Sequence, residues 1–491
     1  MPLTVLTDSD VRNLLLQLTK QDILDLQQSL ADALHYYSTS TEEDSNGCCS
    51  SYQPLRTSLK RSDGQTTLFM PASSNDGLGV KIVTLTAPDA KKQTSDASSV
   101  TSSLDTLSIS QRSTKSGSGS VGSSTTAFDP PQSLASAKST TPKGTLTLFD
   151  NDGHPRALIN AEEITAFRTA LASTMLFKKR QNVHDVVVFG AGKQAYWHIR
   201  LALLLRGEDV HHLNIINRDF DRVHQLLEKL YKPHDQPTQW SASAEHVPTY
   251  RQREDQIMSD LPRPKIQILT PGHGEYDRLL KTTIRASSVI FFTTPSLTPL
   301  FPAPFLTNPE GRKKGRYLAA IGSYKPHMVE IHPDILRQNV EPEHGHRHFH
   351  KHAPQGGAVI VDSVEACLKE AGEIIQAGLK ADEVVEIGEL LMLKRDADRR
   401  RLECQASRSA EGLDEGGVEL GECEKTKKKW RGDKEKDHDS EDKAHKSLME
   451  WLQKGNVIYK SVGLGLMDVV VGNDLCQLAD ERGIGTKIED F

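Results

Sequence analysis

Residues 185–195 read DVVVFGAGKQA, and the fold turns on this run. DVVVF is almost continuously apolar, the pattern of a strand covered on both faces of a parallel sheet. Gly190 permits a tight turn out of the strand, Gly192 lets backbone approach a phosphate closely, and the small Ala195 allows the next helix to pack near the sheet. A helix starting near 193 points unsatisfied N–H groups at the same spot. The run has the form GxGxxA. Its context agrees, because AYWHIRLALLLRG supplies a helix, LNIINR a second strand and FDRVHQLLEKL a second helix. Strand, helix, strand, helix opens a doubly wound α/β fold, so the loop predicts a bound dinucleotide with Gly190, Ala191, Gly192, Lys193, Gln194 and Ala195 as its contacts.

The second strand ends in Asn217-Arg218 rather than Asp or Glu. An acid there binds the ribose 2′-hydroxyl of NAD, whereas arginine pairs with the 2′-phosphate of NADP, so NADP(H) is expected ahead of NAD(H). Downstream, PKIQILT (264–270), SVIFFTT (288–294), YLAAIGS (317–323) and GAVIVDS (357–363) read as further strands. EYDRLLKTTIRAS and VEACLKEAGEII supply helical pattern among them.

Upstream, AEEITAFRTALASTMLF (161–177) reads as a helix with Ile164, Phe167 and Leu171 on its apolar face. Residues 10–36 carry apolar side chains at spacings of three and four, which predicts two short helices or one interrupted helix. TTLFMPASSNDGLGVKIVTLT reads as strand, turn, strand, and TLTLFDNDGHPRALI as a hairpin around NDG. Between them, residues 88–143 are rich in Ser, Thr and Gly, with too little apolar side chain to offset the entropy of ordering. A second polar stretch, 395–447, is densely charged with mixed sign and reads as a solvated insertion.

Bulk composition sets limits. The 491 residues are 36% hydrophobic, with 60 Lys and Arg against 66 Asp and Glu. A net charge of −6 gives no reason to expect nucleic acid or an anionic membrane as partner. Nothing approaches the roughly 20 apolar residues that span a bilayer, and the start lacks the basic region of a secretory signal. Cys48, Cys49, Cys367, Cys404, Cys423 and Cys476 show no CxxC pairing, so a cytoplasmic chain without a structural metal is expected. The alternating histidines His344, His346, His348, His350 and His352 read as a solvated loop.

SYQPLR, LGVKIV, ITAFRTALAS, VVVFGAGKQA and VIYKSVGLGLMD occur in this order. Together they resemble the ornithine cyclodeaminase and mu-crystallin family over nearly all the chain outside the two insertions. The resemblance implies a Rossmann NAD(P)-binding domain and a separate α+β substrate and dimerisation domain built from both chain ends, hence a homodimer. The expected boundaries are 1–160 for the first part of the substrate domain, interrupted by 88–143, then 161–394 for the Rossmann domain and 448–491 for the returning segment. The resemblance places substrate-carboxylate arginines at Arg56 and Arg168 and an active-site lysine at Lys81. On the cofactor side it adds Thr169, Asn217, Arg218, Thr293, Thr294, Lys460, Ser461, Val462 and Gly463, with Asp468 expected to orient the neighbouring backbone. A guanidinium grips a carboxylate through two parallel hydrogen bonds, and a lysine beside the reacting nitrogen can hold or transfer a proton.

One segment departs from the cyclodeaminase pattern GGDxPGxxE. Residues 322–330 read GSYKPHMVE, with Tyr324 at the aspartate position and Glu330 at the end. A phenol with a reference pKa near 10 is a poor replacement for a carboxylate that handles protons near neutrality. This form resembles the reductase or mu-crystallin side of the family. The expected activity is therefore NAD(P)H-dependent reduction of a small carboxylated imine, such as a cyclic ketimine. A cyclodeaminase or amino-acid dehydrogenase and a non-catalytic NADPH-binding protein stay open beside it.

Overall fold

The computed structural model describes residues 2–39, 53–62, 64–85, 142–232, 261–272, 274–312, 314–341, 358–390 and 448–489. Two sheets organise them. The one that bears on dinucleotide binding has eight strands: β7 (Asp185–Phe189), β8 (His212–Ile216), β9 (Lys265–Leu269), β10 (Val289–Phe292), β11 (Tyr317–Ala320), β12 (Val359–Val361), β13 (Val384–Glu386) and β14 (Val457–Lys460). Their order is β13-β12-β14-β11-β10-β7-β8-β9, and every recorded neighbour pair is parallel. The strand order reverses at β7, between β8 and β10, the crevice where open α/β sheets bind ligands beyond their carboxyl ends.

The apolar strand sequences follow from this position. Val186 and Val188 of β7 join one core cluster, whereas Val187 and Phe189 join another on the opposite face. Val289 and Phe291 of β10 divide from Ile290 and Phe292 in the same way. A strand with core on both sides has no use for a polar alternate.

The other sheet is mixed. It consists of β1 (Leu3–Leu6), β2 (Thr57–Lys60), β3 (Thr66–Ser74), β4 (Gly77–Leu85), β5 (Lys143–Phe149), β6 (Pro155–Asn160) and β15 (Thr486–Ile488), in the order β15-β1-β6-β5-β4-β3-β2. Helices α1 (Asp8–Leu16) and α2 (Lys20–Thr39) realise the interrupted helical reading of the N-terminus. Thr7 and Asp10 form a capping box that starts α1. The long helix α3 (Ala161–Phe177) begins where Asn160 Oδ1 accepts the Glu162 N–H at 2.9 Å, and it packs against α2, β5 and α4 (Lys193–Arg206). The last helix, Gly465–Arg482, lies on β3, β4 and β5.

Two boundaries differ from the sequence reading. That reading returns the whole of 448–491 to the substrate domain, yet β14 inserts between β11 and β12 of the parallel sheet, and only the last helix and β15 join the mixed layer. The Val-Ile-Tyr pattern of β14 suits a doubly covered strand but carries no information about which neighbours it takes. Lys143, placed in the first insertion, is the opening residue of β5. Residues 88–141 of that insertion, the second insertion, His344–His352 and the cysteines 48, 49, 404 and 423 lie outside the described residues. Cys367 and Cys476 are buried free thiols. No helix among the described residues is long and apolar enough to cross a membrane.

Candidate active site

A cleft of about 200 Å³ separates the inner face of the mixed sheet from the glycine loop of the parallel one. Its lining includes Arg56, Lys81 and Arg168 from the expected substrate side, and Thr169, Gly192, Lys193, Gln194, Thr293, Ser461, Val462 and Gly463 from the expected cofactor side.

Lys81 reaches the cleft by strand alternation. On β4 the inward positions are Gly79, Lys81, Val83 and Leu85, and Lys81 is only 1% exposed. Its Nζ donates to Asp468 Oδ1 at 2.9 Å. Burial pushes its pKa down to about 8; Asp468 opposes the shift and nearby Arg168 reinforces it. The lysine thus titrates close to physiological pH.

Arg168, on α3, donates from Nε to the same Asp468 oxygen at 3.1 Å. Its guanidinium lies against Gly463, where a Cβ would stand 2.7 Å from an Nη and φ is +89°. Only glycine fits that contact and that backbone. Asp468 sits in the first turn of the last helix, where a carboxylate is favoured by the helix dipole. The resemblance gives it the task of orienting backbone; instead it joins Lys81 and Arg168, because its helix faces the sheet interior. The backbone role belongs to Asp362, whose Oδ2 accepts from Ser461 Oγ at 2.7 Å, Val462 N at 3.0 Å and Gly463 N at 2.7 Å.

Arg56 precedes β2 on a stretch tied to β3 by Gln53, whose Nε2 donates to Ser73 O at 2.8 Å. Arg56 Nε donates to Glu370 Oε1 at 2.9 Å, and its Nη2 also meets Glu370 Oε2. Glu370 ends the helix Val364–Glu370 beside the parallel sheet, so this pair links the two layers.

The glycine loop is built as its sequence implies. Gly190 has φ +111°, and a Cβ there would lie 2.7 Å from Thr293 Oγ1. Gly192 caps α4, and a Cβ added to it meets nothing within 4 Å, which leaves open space beside the helix N-terminus. A dinucleotide pyrophosphate fits that space, with the first N–H groups of α4 directed at it. Ala195 is fully buried, and Ala191 is partly buried against the core. Lys193 is engaged by Glu163 at 2.7 Å and Glu162 at 3.0 Å, so it balances the start of α3 rather than standing as a lone cation. Thr169 donates to Thr165 O at 2.9 Å along its own helix while still lining the cleft.

Lys460, Thr294, Asn217 and Arg218, also expected on the cofactor side, do not line the cleft. Lys460 is 1% exposed, donates from Nζ to Ser323 O and approaches Glu373 Oε2 at 3.4 Å; as the last residue of a central strand it points into the protein. Thr294 gives its N–H and hydroxyl to Glu330 Oε1 at 2.6 and 2.9 Å. Asn217 donates to Asp219 O at 2.7 Å, and Arg218 is exposed at the carboxyl end of β8. That end lies beside Gly190, whose N–H donates to Ile216 O at 2.9 Å.

A buried network under the 322–330 segment has no signal in the sequence beyond its terminal glutamate. Glu330 Oε2 accepts from Gly322 N at 2.7 Å and Ser323 N at 3.2 Å, while Oε1 holds Thr294. Glu330 therefore clamps two loops at the carboxyl edge of the sheet. Burial pushes its pKa up to about 7, with Lys460 opposing. Tyr324, from the same segment, lines the cleft, and burial raises its phenol while Arg56 lowers it.

No family model matches the chain. A Delta(1)-pyrroline-2-carboxylate reductase of Bacillus cereus is 22% identical over 447 residues, 89% of each chain. The solved structure of the Thermococcus litoralis Delta(1)-pyrroline-2-carboxylate reductase, in complex with NADH and L-proline, superposes with TM-score 0.55 at 15% identity, covering 99% of this chain and 100% of that one. The fold is that of the ornithine cyclodeaminase/mu-crystallin family. An uncharacterized Saccharomyces cerevisiae protein, YGL159W, is 28% identical over 250 residues; the match takes in 48% of this chain and 59% of the yeast protein's length. As in that family fold, the eight-stranded sheet is an NAD(P)-binding Rossmann arrangement.

Proposed function

We propose that this chain is a member of the family whose fold it has, and that it reduces a small carboxylated imine at the expense of NADPH. The observation that carries the reading is the convergence of Arg56, Lys81 and Arg168 on one cleft with the glycine loop. Lys81 and Arg168 share a single carboxylate, Asp468, so the group as a whole favours an anionic ligand. Arg56 and Arg168 grip the substrate carboxylate and fix the imine carbon. Lys81 holds a proton beside the imine nitrogen and delivers it as the amine forms. A reduced nicotinamide dinucleotide supplies the hydride when bound between the glycine loop and the Ser461–Gly463 turn. Asp362 and Glu330 hold the loops that form its walls. The reductases of Bacillus cereus and Thermococcus litoralis support this substrate class.

NADP(H) is preferred over NAD(H) on the strength of Arg218, exposed beside the glycine loop where no acid replaces it. The outer face of the mixed sheet supports homodimerisation. Phe69, Pro71, Leu78, Val80, Ile82 and Leu158 lie on strand positions alternate to the buried set, and Leu78 and Leu158 are 42% and 36% exposed.

The test is oxidation of NADPH and of NADH by purified protein with pyrroline-2-carboxylate and piperideine-2-carboxylate, beside ammonia release from ornithine with NAD. Imine-dependent oxidation is expected, faster with NADPH. Ammonia release alone moves the activity to a cyclodeaminase, and binding of NADPH without turnover of any of these compounds marks a non-catalytic protein.

A further inference from the structure

Arg56 comes from a thinly supported part of the mixed sheet. It precedes β2, an edge strand exposed along its whole length, and its neighbours Leu55 and Leu59 are turned to solvent as well. A long cation in such a place samples many rotamers unless something pins it. The pin comes from the other layer. Glu370 ends the helix Val364–Glu370, and that helix end is firmly set: Ala371 is fully buried with its N–H on Cys367 O at 2.9 Å, and Glu373 Oε1 accepts the Glu330 N–H at 3.0 Å. The opposite end of the same helix is tied to the substrate layer too, through Tyr37 OH and Ser363 Oγ at 2.8 Å.

A guanidinium has two forks that match a carboxylate, one made by Nε and Nη2 and the other by Nη1 and Nη2. Glu370 takes the first: Arg56 Nε donates to Oε1 at 2.9 Å and Nη2 meets Oε2. Arg56 nonetheless lines the cleft, so a ligand carboxylate there meets the second fork. We infer that Glu370 is a positioning residue for the substrate carboxylate, holding Arg56 by one fork so that the other faces the cleft. The inference rests on the proposed function, which gives Arg56 its task.

Two effects oppose each other in this arrangement. The Glu370 charge repels an incoming carboxylate, and it also removes the arginine's rotamer freedom before the ligand arrives. The Arg56 and Glu370 side chains are 20% and 29% exposed, so water screens the repulsion, whereas the saving in ordering entropy is not screened. Preorganisation therefore wins. The same exposure makes the pair worth little to folding, so its loss shows in binding rather than in stability. The substrate carboxylate keeps its charge throughout the reduction, so its grip is equal in ground and transition states and shows in KM rather than in kcat.

The experiment compares full-length wild type, Glu370→Gln, Glu370→Ala, Arg56→Ala and the Glu370→Ala/Arg56→Ala double variant. Each is assayed for oxidation of NADPH and NADH with pyrroline-2-carboxylate, and titrated calorimetrically with L-proline and with L-prolinamide in the presence of NAD⁺ and NADP⁺. Glu370→Ala is expected to raise KM for the imine and to weaken L-proline by about 10-fold, with kcat unchanged. L-Prolinamide, which lacks the anion, changes far less. Glu370→Gln keeps one acceptor for Nε and falls between wild type and Glu370→Ala. In the Arg56→Ala background, loss of Glu370 has no further effect on L-proline.

Tighter or unchanged L-proline in the Glu370 variants overturns the inference, the former making Glu370 a competitor for Arg56. Equal losses for L-proline and L-prolinamide, or an effect that persists without Arg56, overturn it in favour of a brace between the layers. The expected binding pattern in a protein that leaves the imine untouched overturns the proposed function alone, and imine reduction with any of the contrary patterns overturns the inference alone. Absence of both L-proline binding and turnover overturns both. Glu370→Gln is isosteric at a partly exposed helix end, so it decides even where Glu370→Ala does not fold.

Discussion

Lys81 Nζ and Asp468 Oδ1 lie 2.9 Å apart although 387 residues separate them in sequence. The contact joins an inward position of β4 to the first turn of the last helix, so the two ends of the chain must close on each other before the lysine acquires its proton affinity. Asp468 Oδ2 is buried and accepts no hydrogen bond from a described residue. The carboxylate is thus committed to the two cations rather than to a wider network.

Replacement Asp468→Asn tests that commitment through the pH profile. Burial holds Lys81 at about 8, below its ordinary 10.5, and the Asp468 charge opposes the fall. Under the proposed mechanism reduction needs the protonated lysine, so activity is expected below about 8 and lost as pH rises through that value. Without the aspartate charge the limb moves to lower pH by about one unit or more, and kcat/KM at pH 8 falls about 5-fold or more. A limb that stays in place removes Lys81 as the proton donor.

Gly463→Ala addresses the other cation. The backbone at φ +89° disfavours any side chain, and the added methyl meets the Arg168 guanidinium at 2.7 Å. Strain of about 1–3 kcal/mol and a displaced arginine are expected. A displacement of this kind lowers kcat/KM for the carboxylated imine by roughly 10- to 100-fold. Dinucleotide affinity, measured by fluorescence quenching, should fall as well, since the same turn is proposed to hold the cofactor; an unchanged kcat/KM would remove the Gly463–Arg168 contact from the working site.

Much of this arrangement is legible in the residues alone. The helix over 161–177 announces itself by its apolar spacing, and the strand DVVVF by lacking a polar face. Motif resemblance places Lys81, and the alternation of β4 agrees with it. What escapes is long-range. Nothing in VIYK says that β14 inserts between β11 and β12, so the motif puts Lys460 with the cofactor although it lies beneath Ser323. The burial of Asp362, Glu330 and Glu373 has no signal in the sequence, because it is created by segments distant in the chain.

Glu330→Gln probes one of those hidden carboxylates. Both Glu330 oxygens accept from two donors each, whereas an amide nitrogen cannot accept, so one pair of donors is left facing another donor. A loss of about 1–3 kcal/mol at pH 8 is expected. The sign of the pH dependence is specific. The folded pKa of about 7 lies above the ordinary 4.5, so this group's contribution is fully present below 4.5 and is lost as pH rises through 7. Glutamine lacks that titration. In urea unfolding the gap between wild type and variant should therefore widen as pH falls from about 8 to about 5; a gap that narrows would mean Glu330 is not protonated on that range.

The first long polar stretch connects neighbouring strands. Thr84 of β4 faces Lys143 of β5 in antiparallel register, so the chain leaves and re-enters the sheet side by side. A turn of about two to five residues spans such a pair. Deleting 92–140 and joining the ends should leave the sheet intact, and the shorter loop gains about 1–2 kcal/mol from reduced closure entropy. Turnover should also survive, because the deletion stops short of Pro142, which lines the cleft. Extending it through Pro142 removes part of the wall beside Leu85 and should raise KM for the imine without altering the thermal midpoint by a comparable amount. If instead the 92–140 deletion abolishes both folding and dinucleotide binding, the stretch belongs to the core of the mixed layer rather than outside it.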